Sequence, residues 1–150
     1  MRIVAQNVTN ASVSIDNKIV GKISRGFCLL VGFTHDDNEA IVKKMAEKLV
    51  SLRVFEDENG KTNLSLSDVG GEILSVSQFT LYASVKDGRR PSFVNAMEPS
   101  KASALYDYFN KCLEELGYAP QKGVFGADMK VSLVNDGPFT TFIDSKELGL

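Results

Sequence analysis

The chain has 150 residues, 43% of them apolar and 24% charged, with a formal net charge of −2. One domain spanning residues 1–150 is expected, long enough to bury a full core, and the composition excludes a disordered or disulfide-stapled chain. The mildly acidic balance excludes a global basic field, so any contact with RNA must come from a local patch.

The opening MRIVAQNVTN is too polar for a signal peptide. No apolar run approaches the roughly 20 residues of a spanning helix. Cys28 and Cys112 fall in apolar surroundings and read as small buried hydrophobes in a reducing cytoplasm.

Residues 2–15 place Val and Ile between polar residues, the pattern of a strand. Asp16-Asn17 is a tight turn, 18–24 a second strand, and Arg25-Gly26 a further turn. Phe27 to Phe33 is almost continuously apolar, which suits a strand covered on both faces. An antiparallel meander is expected over this third of the chain.

His35-Asp36-Asp37-Asn38 is capping-rich and precedes a helix over 39–53, with Asp36-Asp37 read as capping its start and Ile41, Met45, Leu49 and Leu52 on its apolar face. Residues 57–60 form a turn and 63–68 an irregular connection. Residues 72–82 read as one β-rich strand, and 85–98 as a loop carrying Lys86, Arg89 and Arg90. Pro99 suits the first turn of a second helix, with Ala102, Leu105, Phe109, Cys112 and Leu116 as its stripe and Gly117 as its stop. Strands over 124–134 and 139–143 follow, joined by a turn at 135–138, and the tail from Asp144 is expected to be loosely ordered. The sum is an α+β fold: a curved, antiparallel-rich sheet or β-barrel with two packed helices.

Familiar catalytic sets are missing. The single histidine, His35, sits in an acidic loop with no nucleophile beside it and reads as solvated. No CxxC, HxxxH or phosphate-cradling glycine motif occurs, so neither metal nor cofactor is expected. An enzyme built from this chain must use backbone groups, hydroxyls or the substrate itself.

Two segments carry more than ordinary pattern. In Ser77-Gln78-Phe79-Thr80-Leu81, a strand would put Gln78 and Thr80 on one face and Ser77 and Phe79 on the other. It is either an edge strand with a solvated polar face or a strand end offering N–H groups to a carbonyl. Asn135-Asp136-Gly137-Pro138-Phe139-Thr140 is either a hairpin turn or a rigid corner that presents two carbonyls and little side chain.

SQFTL at 77–81 and NDGPFT at 135–140 resemble the two signature motifs of the D-aminoacyl-tRNA deacylases of bacterial and eukaryotic type. MRIVAQNVTNASVSI, GGEILSVSQFTLYA, GRRPSF, ALYDYF and DMKVSLVNDGP extend the resemblance over nearly the whole chain. The family usually has valine where Phe139 stands, which implies altered packing there.

The resemblance implies a homodimer that hydrolyses D-aminoacyl-tRNA, with neither DNA nor a membrane as partner. It assigns Ser77, Gln78, Phe79 and Thr80 to the reaction. It assigns Asn135, Gly137, Pro138 and Thr140 to chiral selection, with a cis Gly137-Pro138 peptide entering the partner's site and leaving no room for an L side chain. Glycine has no side chain to reject, so glycyl-tRNA is expected as a second substrate. The family is thought to use the tRNA's own ribose hydroxyl to orient water. Thr80 has no evident base and is expected to support rather than attack. Ala102 reads either as helix core or, by resemblance, as the small residue that admits the terminal adenosine. Lys86, Arg89 and Arg90 are candidates for phosphate contact or a solvated turn. Without the resemblance, a non-catalytic barrel that binds RNA ends, or a dimerisation module, fits the pattern as well.

Overall fold

A computed structural model describes Met1–Leu150. Its spine is β1 (Arg2–Ile15), a strand of 14 residues. On one edge β1 pairs antiparallel with β8 (Lys130–Asp144) along nearly its full length. Its other edge is shared end to end: β2 (Lys18–Ile23) pairs with residues 11–15 and β3 (Gly26–Gly32) with residues 2–8. The expected meander is therefore corrected. The third strand returns to β1, not to β2, because β1 is long enough to take both short strands in series.

Thr9 and Asn10 are both exposed, and the register with β8 slips beside them. That irregularity re-aims the strand, as bulges do. Ile3 and Ala5 join one core cluster, whereas Val8, Ala11 and Val13 join a second.

β3 pairs parallel with β6 (Glu72–Ser77), and β6 with the two-residue β7 (Gln121–Lys122). β3 is buried almost throughout, as its apolar run predicts. β2 comes close to β6 and β7: a Cβ on Gly21 would lie 3.2 Å from both the Leu74 side chain and the Lys122 carbonyl. The mixed sheet thus curls into a nearly closed barrel. The smaller cluster lies around Val13, Cys28 and Leu74, and the larger one packs the sheet against the two helices.

Helix α1 (Glu39–Ser51) is capped by Asn38, whose Oδ1 accepts the Ile41 N–H at 3.1 Å. Asp36-Asp37 is not the cap. Asp37 is buried and takes the Met1 amine at 2.5 Å and the Thr34 N–H at 2.7 Å. The helix stops two residues early. β4 (Arg53–Glu56) then pairs with β5 (Thr62–Ser65), where an irregular connection was expected. The Asp57 carboxylate organises the intervening turn by accepting the N–H groups of Asn59 and Lys61.

Helix α2 (Pro99–Glu115) starts at Glu98, whose carboxylate accepts the N–H groups of Ser100 and Lys101. Ala102, Phe109 and Cys112 are buried as expected, but Tyr106 and Leu113 enter the core while Leu116 stays exposed. The tail is tied down. Asp144 and Ser145 are buried, Ser145 Oγ accepts the Met1 amine at 2.8 Å, and the Leu150 N–H returns to the Ser145 carbonyl. No helix is long and apolar enough to cross a membrane.

Candidate active site

β6 ends at Ser77, short of the expected 72–82 strand. Phe79–Tyr82 forms a 3-10 turn instead. Phe, Thr and Tyr favour strands, but the ladder has run out, because the neighbouring β3 stops at Gly32. The Gln78 N–H makes the last link, to the Val31 carbonyl at 2.7 Å. Gly32 then allows a close approach. A Cβ there would stand 2.8 Å from the Gln78 carbonyl oxygen and 3.1 Å from the Leu81 Cβ.

A 3-10 turn leaves its leading N–H groups without acceptors in the turn itself. Here these belong to Phe79 and Thr80, and no side chain caps them. The strand-based grouping of side chains fails past Ser77, yet Gln78 and Thr80 still meet: Gln78 Nε2 donates to Thr80 Oγ1.

Beside the turn opens a cavity of about 470 Å³. Ser77, Gln78 and Phe79 form one wall, and Pro99 and Ala102 at the start of α2 form another. Ala102 is thus both buried core and cavity lining. Residues 125–129 close the third side, a part missed in the sequence. They lie where a strand was expected, but the chain turns at Gly126 (φ +78°) and the strand begins only at Lys130.

The walls are mainly apolar and contain no histidine. Their one ionisable side chain, Asp128, is solvent-exposed and paired with Lys130 at 3.2 Å. Thr80 is exposed and does not line the cavity, and its hydroxyl is met by the Gln78 amide rather than by a base. His35 lies elsewhere, its Nε2 2.6 Å from the Val94 carbonyl. Neither cysteine lines the cavity, and burial pushes the Cys28 thiol up to about 11.

Lys86, Arg89 and Arg90 are exposed and make no ion pair. Mutual Ser84–Ser92 backbone hydrogen bonds of 2.8 Å close their loop. Phe93, just beyond it, packs on Phe79 with ring centres 5.0 Å apart, so the basic loop is anchored at the cavity rim.

Asn135 to Thr140 is not a turn between two strands. It is a bulge within one strand, β8, both of whose halves pair with β1. The register passes from Gln6–Thr140 directly to Val8–Asn135, expelling Asp136 to Phe139 from the ladder. The Gly137-Pro138 peptide is cis and exposed, and Gly137 has φ +132°, where L side chains rarely go. Asn135 braces the bulge, and Gln6 Nε2 reaches Thr140 Oγ1 at 3.5 Å. None of Asn135, Gly137, Pro138 and Thr140 lines the cavity of their own chain.

The family model described as D-Tyr-tRNA(Tyr) deacylase matches residues 4–144. The chain belongs to this deacylase family. A D-aminoacyl-tRNA deacylase of Lactobacillus gasseri is 60% identical over 144 residues, covering 96% of this chain and 99% of the relative. One of Bacillus pumilus is 55% identical over 147 residues, covering 98% and 100%. Among solved structures, the c-Myc DNA Unwinding Element Binding Protein superposes with a TM-score of 0.89 at 40% identity, over 96% of this chain and 98% of its own. A probable eukaryotic D-amino acid tRNA deacylase has the same fold, with a TM-score of 0.82 at 21% identity over 95% and 97%. Membership makes the chain a hydrolytic enzyme that acts on the ester of aminoacyl-tRNA.

Proposed function

We propose that this deacylase is a cytoplasmic homodimer, each chain one catalytic domain, that hydrolyses the ester between a D-amino acid and the terminal ribose of tRNA. One observation carries the reading: the cavity bounded by Ser77, Gln78 and Phe79 and the exposed Gly137-Pro138 corner are separate within a protomer. Both motifs serve one reaction only if the corner of one protomer enters the cavity of its partner.

In that arrangement the corner's carbonyls hold the substrate's α-amino group. An L side chain clashes with main-chain atoms, and a D side chain points outward. Selectivity comes from exclusion, so glycyl-tRNA also passes. The ester is already activated. The unpaired N–H groups of Phe79 and Thr80 receive the developing oxyanion, a contribution on the order of 3–4 kcal/mol. The neighbouring ribose hydroxyl orients the attacking water, and Ala102 leaves space for the terminal adenosine. Thr80 is a supporting hydrogen-bond partner of Gln78, since a hydroxyl without a base is a poor nucleophile.

The test is release of amino acid from D-tyrosyl-, L-tyrosyl- and glycyl-tRNA by purified protein. Fast release from the first and third with the L-ester spared is expected. Equal rates on both tyrosyl enantiomers overturn the proposal. Thr80→Val is expected to keep much of the activity, and its complete inactivation with the fold intact makes Thr80 the nucleophile.

A further inference from the structure

The Phe79–Tyr82 turn is only four residues long, and 3-10 hydrogen bonds are poorly aligned. Its own bonds include Leu81 N–H to the Gln78 carbonyl at 3.3 Å and Ala83 N–H to the Thr80 carbonyl at 3.0 Å. So short a turn needs support from outside to keep its leading N–H groups in one direction. At its start, β3 supplies that support through the Val31 carbonyl and Gly32.

At its far end stands Arg2, the first residue of β1. Arg2 Nη1 donates to the Leu81 carbonyl at 2.8 Å, and Nε donates to Asp144 Oδ2 at 2.8 Å. The guanidinium carbon lies 4.5 Å from the centre of the Tyr82 ring and 5.8 Å from that of Phe142. Asp144 is itself fixed, because its Oδ1 accepts the Lys146 N–H at 3.0 Å. A cation at the carbonyl end of the turn also complements its dipole. Arg2 does not line the cavity.

We propose that Arg2 is a positioning residue for the deacylase reaction: it clamps Leu81 and Tyr82 to β8, and so holds in place the turn that carries the Phe79 and Thr80 N–H groups and whose first residue, Phe79, lines the cavity. The proposal rests on the reading of those N–H groups as the oxyanion site. The planar fork is essential, since one arm reaches Asp144 while another reaches Leu81. A lysine ammonium is a single point charge without that fixed fork.

The experiment compares Arg2→Met and Arg2→Lys with Phe55→Leu, a core change in the Phe27–Phe55 stack. The readouts are kcat and KM on D-tyrosyl-tRNA, thermal midpoint, and amide hydrogen exchange. Arg2→Met is expected to lower kcat by about 10- to 100-fold, as misplacement of catalytic groups does, with KM within about two-fold. Exchange at Leu81 and Ala83 quickens while the β1–β3 ladder is unchanged. Arg2→Lys recovers part of kcat, and Phe55→Leu loses thermal stability without losing kcat. An unchanged kcat in Arg2→Met, or an equal loss in Phe55→Leu, overturns the proposal. If the wild-type protein does not cleave D-tyrosyl-tRNA, the deacylase reading falls by itself. Unaltered exchange at Leu81 and Ala83 in Arg2→Met then separately removes the clamp.

Discussion

The side-chain amide of Asn135 holds the backbone of Phe139 by both of its groups. Asn135 Oδ1 accepts the Phe139 N–H at 3.0 Å, and Nδ2 donates to the Phe139 carbonyl at 3.0 Å. The same Nδ2 also reaches the Asn7 carbonyl on β1 at 3.2 Å. The bulge that displays Gly137 and Pro138 is thus closed by one residue at its base and tied to the central strand.

Asn135→Ala is expected to free this bulge while leaving the barrel intact. Three half-buried hydrogen bonds of about 0.5–1.5 kcal/mol each are removed, so a loss of roughly 1.5–4.5 kcal/mol in a urea titration follows. If the bulge is the chiral gauge, the D-over-L rate ratio falls further than the D-tyrosyl rate itself. A variant with unchanged discrimination removes Asn135 from that role.

Gly32→Ala tests the packing beneath the 3-10 turn. The new Cβ meets the Gln78 carbonyl at 2.8 Å, and that contact is backbone, so the turn itself must move. Release from D-tyrosyl-tRNA should fall by about 10-fold or more, because a small misplacement of donors is costly. Wild-type rates in a folded Gly32→Ala protein show that the position of this turn does not govern catalysis.

The Arg2–Asp144 pair makes stability depend on acid. Burial alone raises the Asp144 pKa, but the Arg2 hydrogen bond, the Lys146 N–H and nearby cations outweigh it and hold the carboxyl below its ordinary 3.8. A carboxyl lowered on folding adds stability that is complete above the unfolded value of about 3.9 and lost as pH falls through the folded one. Asp144→Asn is therefore expected to lower the thermal midpoint at pH 7. The gap to wild type should close as the medium is taken below about pH 4. A gap that stays constant into acid contradicts the pairing.

Lys86, Arg89 and Arg90 form a local basic patch on an otherwise mildly acidic chain. Replacing all three by Ala should leave the fold untouched, since all are exposed. If each contacts one phosphate of single-stranded RNA, the slope of log affinity against log salt falls by about 2. Affinity measured across a salt series decides it, and an unaltered slope assigns the loop to a solvated turn.

Much of the architecture was legible along the chain. The two helices follow from apolar spacing with Asn38 and Pro99 at their starts, and the doubly covered β3 follows from Phe27 to Val31. All but the last of the following errors share one cause, which is neighbours distant in sequence. Phe79 to Tyr82 have strand-forming side chains, but β3 ends beside them. Asn135 to Pro138 have a hairpin's residues, yet β1 pairs with both flanks and turns the segment into a bulge. Leu105 packs against the core as its place in the stripe predicts, but Leu116 stays exposed, and the packing of α2 brings in Tyr106 and Leu113 instead. Val124 to Met129 read as strand, though Gly126 bends them around the cavity.

Local chemistry by itself determined which groups the two motifs offer: hydroxyl, amide and main-chain groups, with no histidine beside a nucleophile. Those properties depend only on which side chains the chain carries and on short-range backbone preference. The tertiary structure alone decided where these groups stand. The termination of β6, the clamp from Arg2 and the brace from Asn135 all join residues far apart in the chain. Their geometry follows from how a closing sheet distributes its edges, and no local pattern records that.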